Sequence, residues 1–221
     1  MASKRSYNDA CGAAQALNLV GERWALLVVR ELLLGPKRFT DLRSGLPGIS
    51  PNVLSQRLDE LEQSEIVTKG KLPPPVSAQV YDLTDWGRQL ETVIKELGRW
   101  AAQSPSFDRE ARLGNDSLVM SFRTMFTPAA AADVHATYEL RLGDDVFTAR
   151  VDDGEFDIQR GSATDPDAVI HTTPNVFAEI VYDPTGDLDA AVRAGTVRIE
   201  GDPTAVERFT GYFTLPAPAV G

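Results

Sequence analysis

Cysteine occurs once in the 221 residues, as Cys11. A lone thiol excludes an intrachain disulfide and fits a reducing compartment. The two histidines, His135 and His171, are far apart in sequence. With a single cysteine they exclude a Cys/His zinc site within one chain, so no metal or cofactor is expected. No run of about 18 apolar residues is present, so no membrane span is expected. The opening MASKRSYNDACGAAQ lacks an apolar signal core, which points to a cytoplasmic protein. A G-x-S-x-G nucleophile motif, a phosphate-cradling glycine loop and paired carboxylates at helix-fixed spacing are all missing, and no enzyme is expected. No internal repeat or low-complexity tract interrupts the chain.

Hydrophobic residues make up 43% of the chain, enough for a buried core, and the net charge is −10. That acidity argues against nucleic acid until it is located. Residues 1–105 carry 13 Lys and Arg against 12 Asp and Glu, a net +1, whereas residues 106–221 carry 9 against 20, a net −11. The first half therefore keeps a local basic surface (Lys37, Arg38, Arg43, Arg57, Lys69, Lys71) for a phosphate backbone. The asymmetry implies two domains with different partners, 1–105 and 106–221, joined near Ser104-Pro105-Ser106. Each is of ordinary domain size, about 100 residues.

The most informative stretch runs from Arg38 to Lys71. A short amphipathic segment with Phe39, Leu42 and Leu46 ends at Pro47-Gly48. Ser50 is suited to cap the next helix, and Pro51 to its first position, because proline has no N–H to leave unsatisfied there. Leu54, Leu58 and Leu61 then form one buried stripe at i, i+4, i+7. Asn52, Ser55 and Gln56 fall on the opposite face with Arg57 at its flank. Short polar and amide side chains of this kind suit the reading of base edges in a major groove. Extended segments Ile66–Lys71 and Gln79–Leu83 follow, separated by the stiff Pro73-Pro74-Pro75. This is the pattern of a helix-turn-helix followed by a wing. The expected DNA contacts are Arg38, Thr40, Arg43, Ser50, Asn52, Ser55, Gln56, Arg57, Lys69 and Lys71. Asp59, Glu60 and Glu62 confine contact to the first two turns of the second helix.

Around this unit, helices are expected over Ala13–Val20, Glu22–Leu34 and Asp85–Ala102, the last capped by Thr84. Beyond the linker the pattern becomes α+β. A helix is expected over Asp108–Phe126, followed by strands at Val134–Leu142, Val146–Val151, Glu155–Gln159 and Ala168–Thr172. Thr173-Pro174 opens a helix, Leu188–Ala194 is a second, Thr196–Glu200 is a strand, and Asp202-Pro203 opens a last helix bearing Val206, Phe209 and Phe213.

The first ~105 residues resemble the HxlR family of winged helix-turn-helix regulators, relatives of the MarR group. The resemblance is carried by a Cys near the start, Leu17–Trp24 (LNLVGERW), Arg30–Phe39 (RELLLGPKRF), Leu46–Leu58 (LPGISPNVLSQRL) and Tyr81–Gly87 (YDLTDWG). It implies a homodimer that binds a near-palindromic operator and usually represses. The family often has proline directly after the cysteine, whereas this chain has Gly12.

The second half resembles a sterol carrier protein type 2-like domain through Thr173–Val181 (TPNVFAEIV), Asp187–Asp202 (DLDAAVRAGTVRIEGD) and the Phe-rich last helix. That resemblance implies an apolar tunnel for a fatty acyl, sterol-like or aromatic ligand, with Phe122, Phe126, Phe177, Phe209 and Phe213 as candidate lining. For any one of these taken singly, core packing is the better reading. Cys11 is the one candidate for redox sensing, since in several family members this position senses electrophiles or oxidants.

The expectation from sequence is thus a sequence-specific regulator of duplex DNA whose second domain holds an apolar effector. Two rivals stand beside it: a lipid carrier whose helix-turn-helix half only dimerises, and a redox-controlled repressor using Cys11.

Overall fold

The computed structural model describes residues 6–71 and 77–219. Lys4, Arg5 and the triple proline lie outside these. The chain divides into two compact units, the first ending at Ile94 and the second starting at Lys95.

The first unit contains α1 (Gly12–Val20), α2 (Ala25–Leu32), α3 (Phe39–Gly45), α4 (Pro51–Gln63), the antiparallel hairpin β1 (Val67–Lys71) and β2 (Gln79–Leu83), α5 (Asp85–Arg88) and the start of α6 (Leu90–Ala101). Its core is Val28, Val29, Leu32, Leu42, Leu54, Leu58, Leu61 and Ile66, all essentially without solvent exposure. Burial of each such side chain contributes about 1.5–3 kcal/mol. Lys37 pairs with β2 on the edge opposite β1: its N–H donates to the Tyr81 carbonyl at 2.9 Å, and the Tyr81 N–H donates back at 2.8 Å.

Several boundaries differ from the sequence expectation, each for a local reason. The helix expected from Glu22 begins at Ala25, because Trp24 stands at φ 78° and a turn closed by Ala25 N–H to Glu22 O precedes it. The helix expected over Asp85–Ala102 is two helices. Gln89 N–H bonds the carbonyl of Trp86, three residues back, which tightens the chain between α5 and α6. Thr84 does cap, accepting the Gly87 N–H at 3.0 Å. Gly87 is required by space, since a Cβ there would lie 2.2 Å from the Ile66 carbonyl oxygen.

The second unit has α7 (Asn115–Met125), strands β3 (His135–Leu142), β4 (Asp145–Asp152), β5 (Glu155–Arg160) and β6 (Ala168–Thr172), then α8 (Pro174–Tyr182), α9 (Leu188–Arg193), β7 (Arg198–Gly201) and α10 (Pro203–Thr210). The sheet order is β5-β4-β3-β6-β7, with β3 and β6 parallel and every other pair antiparallel. One face carries Tyr138, Leu140, Phe147, Ala149, Ile158, Ala168 and Ile170, all buried; the other carries Arg141, Thr148, Arg150, Gln159 and Arg198. This alternation is that of a sheet covered on one side.

The helix expected from Asp108 starts only at Asn115. The Asp108 carboxylate turns the chain by accepting N–H bonds from Glu110 and Ala111, and Asn175 then holds it, bonding Leu113 N–H and Ala111 O. Phe213 is not on the last helix, which ends at Thr210; it pairs as extended backbone with Phe126. The division between units falls within α6, ahead of the expected linker. Within the second unit the Arg99 guanidinium donates to the Thr124 carbonyl, and Ala219 N–H donates to Gln103 O at 2.8 Å.

Candidate nucleic-acid interface

The α3–α4 pair is positioned by its own sequence. After Pro47, Gly48 takes φ 90°, a conformation glycine adopts without strain. Ser50 Oγ then accepts the Val53 N–H at 3.3 Å and Pro51 occupies the first turn of α4. Leu54, Leu58 and Leu61 seat α4 inward, leaving Ser50, Asn52, Ser55 and Gln56 exposed along its first two turns. Before Asp59 that face has no carboxylate, and the unpaired N–H groups of a helix start favour nearby anions. At its far end α4 closes through Ile66 N–H to Leu61 O and Glu65 N–H to Glu62 O, with Glu65 at φ 57°. This is the left-handed closure that usually takes glycine.

Arg38, just before α3, and Thr40 and Arg43 on it are exposed. Asp41 accepts the Arg38 backbone N–H at 3.1 Å and the Thr40 hydroxyl at 3.3 Å, leaving the Arg38 guanidinium outside this cap. Gln56 is exposed, yet its amide nitrogen donates to Glu60 at 2.9 Å. Lys69 on the hairpin is held by Glu62 at 2.5 Å and Asp59 at 3.5 Å and lies over the Tyr81 ring. The bond to Glu62 raises its pKa. Lys71, two residues on, is exposed.

Arg57 departs from its expected place at the flank of the reading face. Its side chain is only 8% exposed, with Nη1 2.5 Å from Glu60 and 3.7 Å from Glu22. Neither its Nε nor its Nη1 makes an aligned hydrogen bond among the described residues. The charge is turned inward, toward carboxylates of α4 and of the α1–α2 turn. Sequence spacing reveals the Glu60 partner but not Glu22, which is brought near only by folding.

Cys11 is exposed and stands just before α1. The backbone N–H groups of Ala13 and Ala14 lower its thiol pKa, the direction that favours thiolate.

In the second unit the candidate phenylalanines meet ring to ring. Phe122 lies 4.6 Å from Phe213, 5.6 Å from Phe209 and 5.7 Å from Phe177, and Phe126 stacks on Phe156 at 5.0 Å. Tyr138 and Tyr212 extend the group and face one another through their hydroxyls at 3.4 Å. Phe156 and both tyrosines are members that reasoning from helix spacing did not reach, because they come from strands and a terminal loop. No group of three or more His, Cys, Asp or Glu among the described residues is placed to hold a metal ion. Among the same residues, no helix is long and apolar enough to cross a membrane.

Residues 19–107 match the family model described as HxlR-like helix-turn-helix, and residues 113–220 match that of the alkyl sulfatase C-terminal domain. The match in the second half is therefore not to the sterol carrier family its motifs resemble. The transcriptional regulator YodB of Bacillus subtilis is 42% identical over 88 residues, covering 40% of this chain and 79% of YodB. The regulator YvaP of the same organism is 37% identical over 95 residues, covering 42% and 88%. A solved structure of the reduced form of YodB aligns at 38% identity and a TM-score of 0.40, over 44% of this chain and 97% of that one. These relatives are transcriptional regulators, not enzymes.

Proposed function

From the premise that this chain belongs to the HxlR-like helix-turn-helix family of DNA-binding transcriptional regulators, we propose that it acts as a homodimeric repressor controlled through its second unit. The observation that carries the reading is the exposed, acid-free start of α4, with Asn52, Ser55 and Gln56 in solvent, in the unit that also exposes Arg38, Arg43 and Lys71. Amides present a donor–acceptor pair matched to adenine, and exposed cations supply the phosphate contacts that orient the protein on the duplex. Dimerisation is supported by large apolar side chains left in solvent: Leu17 on α1, Trp86 on α5, and Val93, Leu97 and Trp100 at i, i+4, i+7 along α6. Selection of duplexes from a random pool by the purified chain tests the reading. Enrichment of a near-palindrome is expected, and failure to enrich any sequence would leave a carrier whose helix-turn-helix half only dimerises.

The effector is proposed to be small and apolar, held by the second unit. Support comes from its aromatic interior and from its motif resemblance. Because the rings of Phe122, Phe177, Phe209 and Phe213 already touch, entry of a ligand must displace some of them. A fatty acid or aromatic probe that binds should then change the near-ultraviolet circular dichroism and shift operator affinity. An effector can shift DNA affinity only by its differential affinity for the two states.

One observation favours a second route, a thiol switch: the exposure of Cys11 and the lowering of its pKa by the first N–H groups of α1. If Cys11 carries the signal, alkylation should change operator affinity, and Cys11→Ser should be insensitive to it.

A further inference from the structure

We infer that Glu31 is a positioning residue for DNA recognition, the carboxylate that, through Lys37, fixes strand β2 of the wing against the end of α3. The inference rests on the DNA-reading function proposed above. Glu31 is only 2% exposed, in the last turn of α2. Its Oε1 accepts from Arg30 Nη2 at 2.8 Å and its Oε2 from Lys37 Nζ at 2.6 Å. Both cations are themselves largely covered, Arg30 at 20% and Lys37 at 11%.

The same carboxylate reaches a third element. At Gly45, where α3 ends, an added Cβ would sit 2.2 Å from Glu31 Oε2 and 2.9 Å from its carboxyl carbon. Gly45 does not have a positive φ. It is therefore space for Glu31, and not backbone geometry, that keeps a side chain away. Lys37 in turn is the residue whose backbone pairs in both directions with Tyr81 on β2. One buried anion thus touches the residue that pairs with the middle of β2, on the edge opposite β1 with its Lys69 and Lys71, and the end of the helix that leads into α4. Carboxylates are almost never so fully buried unless paired, and losing one partner of such a group leaves the others uncompensated. Lys37, counted with the basic surface on sequence grounds, is by this geometry an internal counter-ion.

The test uses the full chain and a duplex it has selected from a random pool. If no duplex is selected, the DNA-reading function fails, and that outcome is separate from the variants below. Glu31→Gln keeps the shape and removes the charge. It should weaken binding of the selected duplex about tenfold or more where circular dichroism shows the chain folded, with the slope of log K against log salt unchanged. Lys37→Gln serves if Glu31→Gln does not fold, and it should also weaken binding without changing the slope. The double variant should lose no more than the worse single one, because the two residues act as one unit.

A merely structural Glu31 would lower the melting temperature and leave the affinity of the folded chain intact, which would overturn the proposal. Summed losses in the double variant would do the same. So would a slope shallower by about one unit in Lys37→Gln, since that is the mark of a lost phosphate contact.

Discussion

Gln56 stands among the polar side chains proposed to read bases, and its amide nitrogen is engaged with Glu60 at 2.9 Å. An amide nitrogen carries two N–H donors, so Gln56 can meet a base either beside Glu60 or in its place. A bidentate amide contact discriminates by about 1–3 kcal/mol. Gln56→Ala is accordingly expected to weaken operator binding by up to that amount while leaving random-sequence binding nearly unchanged, measured by competition titration. Equal losses on both would remove Gln56 from the reading set. Arg57 and Lys71 offer a contrast of one buried and one exposed cation. Lys71→Ala should make the salt slope shallower by roughly one unit. Arg57→Ala should not, because its guanidinium is turned onto Glu60 and Glu22. Glu65 holds a left-handed φ of 57° at the end of α4. That conformation costs a non-glycine residue about 1–2 kcal/mol, so Glu65→Gly should raise the denaturation midpoint of the first unit.

Among the elements, α4 was the most legible, because everything that fixes it is local: Ser50 as cap, Pro51 in the first turn and leucines at helical spacing. The strands were legible within a residue or two, through alternation and through turns at Gly143 and Gly154, both at positive φ. What the sequence hid was set by partners distant along the chain. Residues 108–114 carry a helical pattern, yet Asn175 claims Leu113 and Ala111 from more than 60 positions away. Arg57 lies on the flank of α4 by periodicity, but its guanidinium is covered, 2.5 Å from Glu60 and 3.7 Å from Glu22. Phe213 follows Phe209 at helical spacing, yet it leaves the helix to pair with Phe126. The aromatic cluster makes a prediction at this scale. Phe209 is fully buried against Phe122, Phe177 and Phe213, and Phe209→Ala should destabilise the second unit by about 3–5 kcal/mol in a urea titration. A change below about 1 kcal/mol would mean the rings surround removable space instead of supporting one another.

For the whole molecule, the division of charge is the organising fact. The net charge of −10 belongs almost wholly to residues 106–221, so the acidic half is unsuited to touch DNA and the first half is left near neutral, with Arg38, Arg43 and Lys71 exposed. A single winged unit reads too few bases to find one site in a genome. Two units on half-sites about one helical turn apart supply the missing specificity. If the proposed dimer uses the apolar side chains exposed on α1, α5 and α6, Trp100→Glu should shift the mass seen by light scattering toward the monomer. The central claim is that two copies read duplex DNA through α4. Its most direct test is the stoichiometry and affinity of the chain on a duplex it selects, compared with the same base composition scrambled, by sedimentation at physiological salt. Two chains per selected duplex, and binding at least about a thousandfold tighter than to the scrambled one, are expected. One chain per duplex, or equal affinity for both, would contradict the claim.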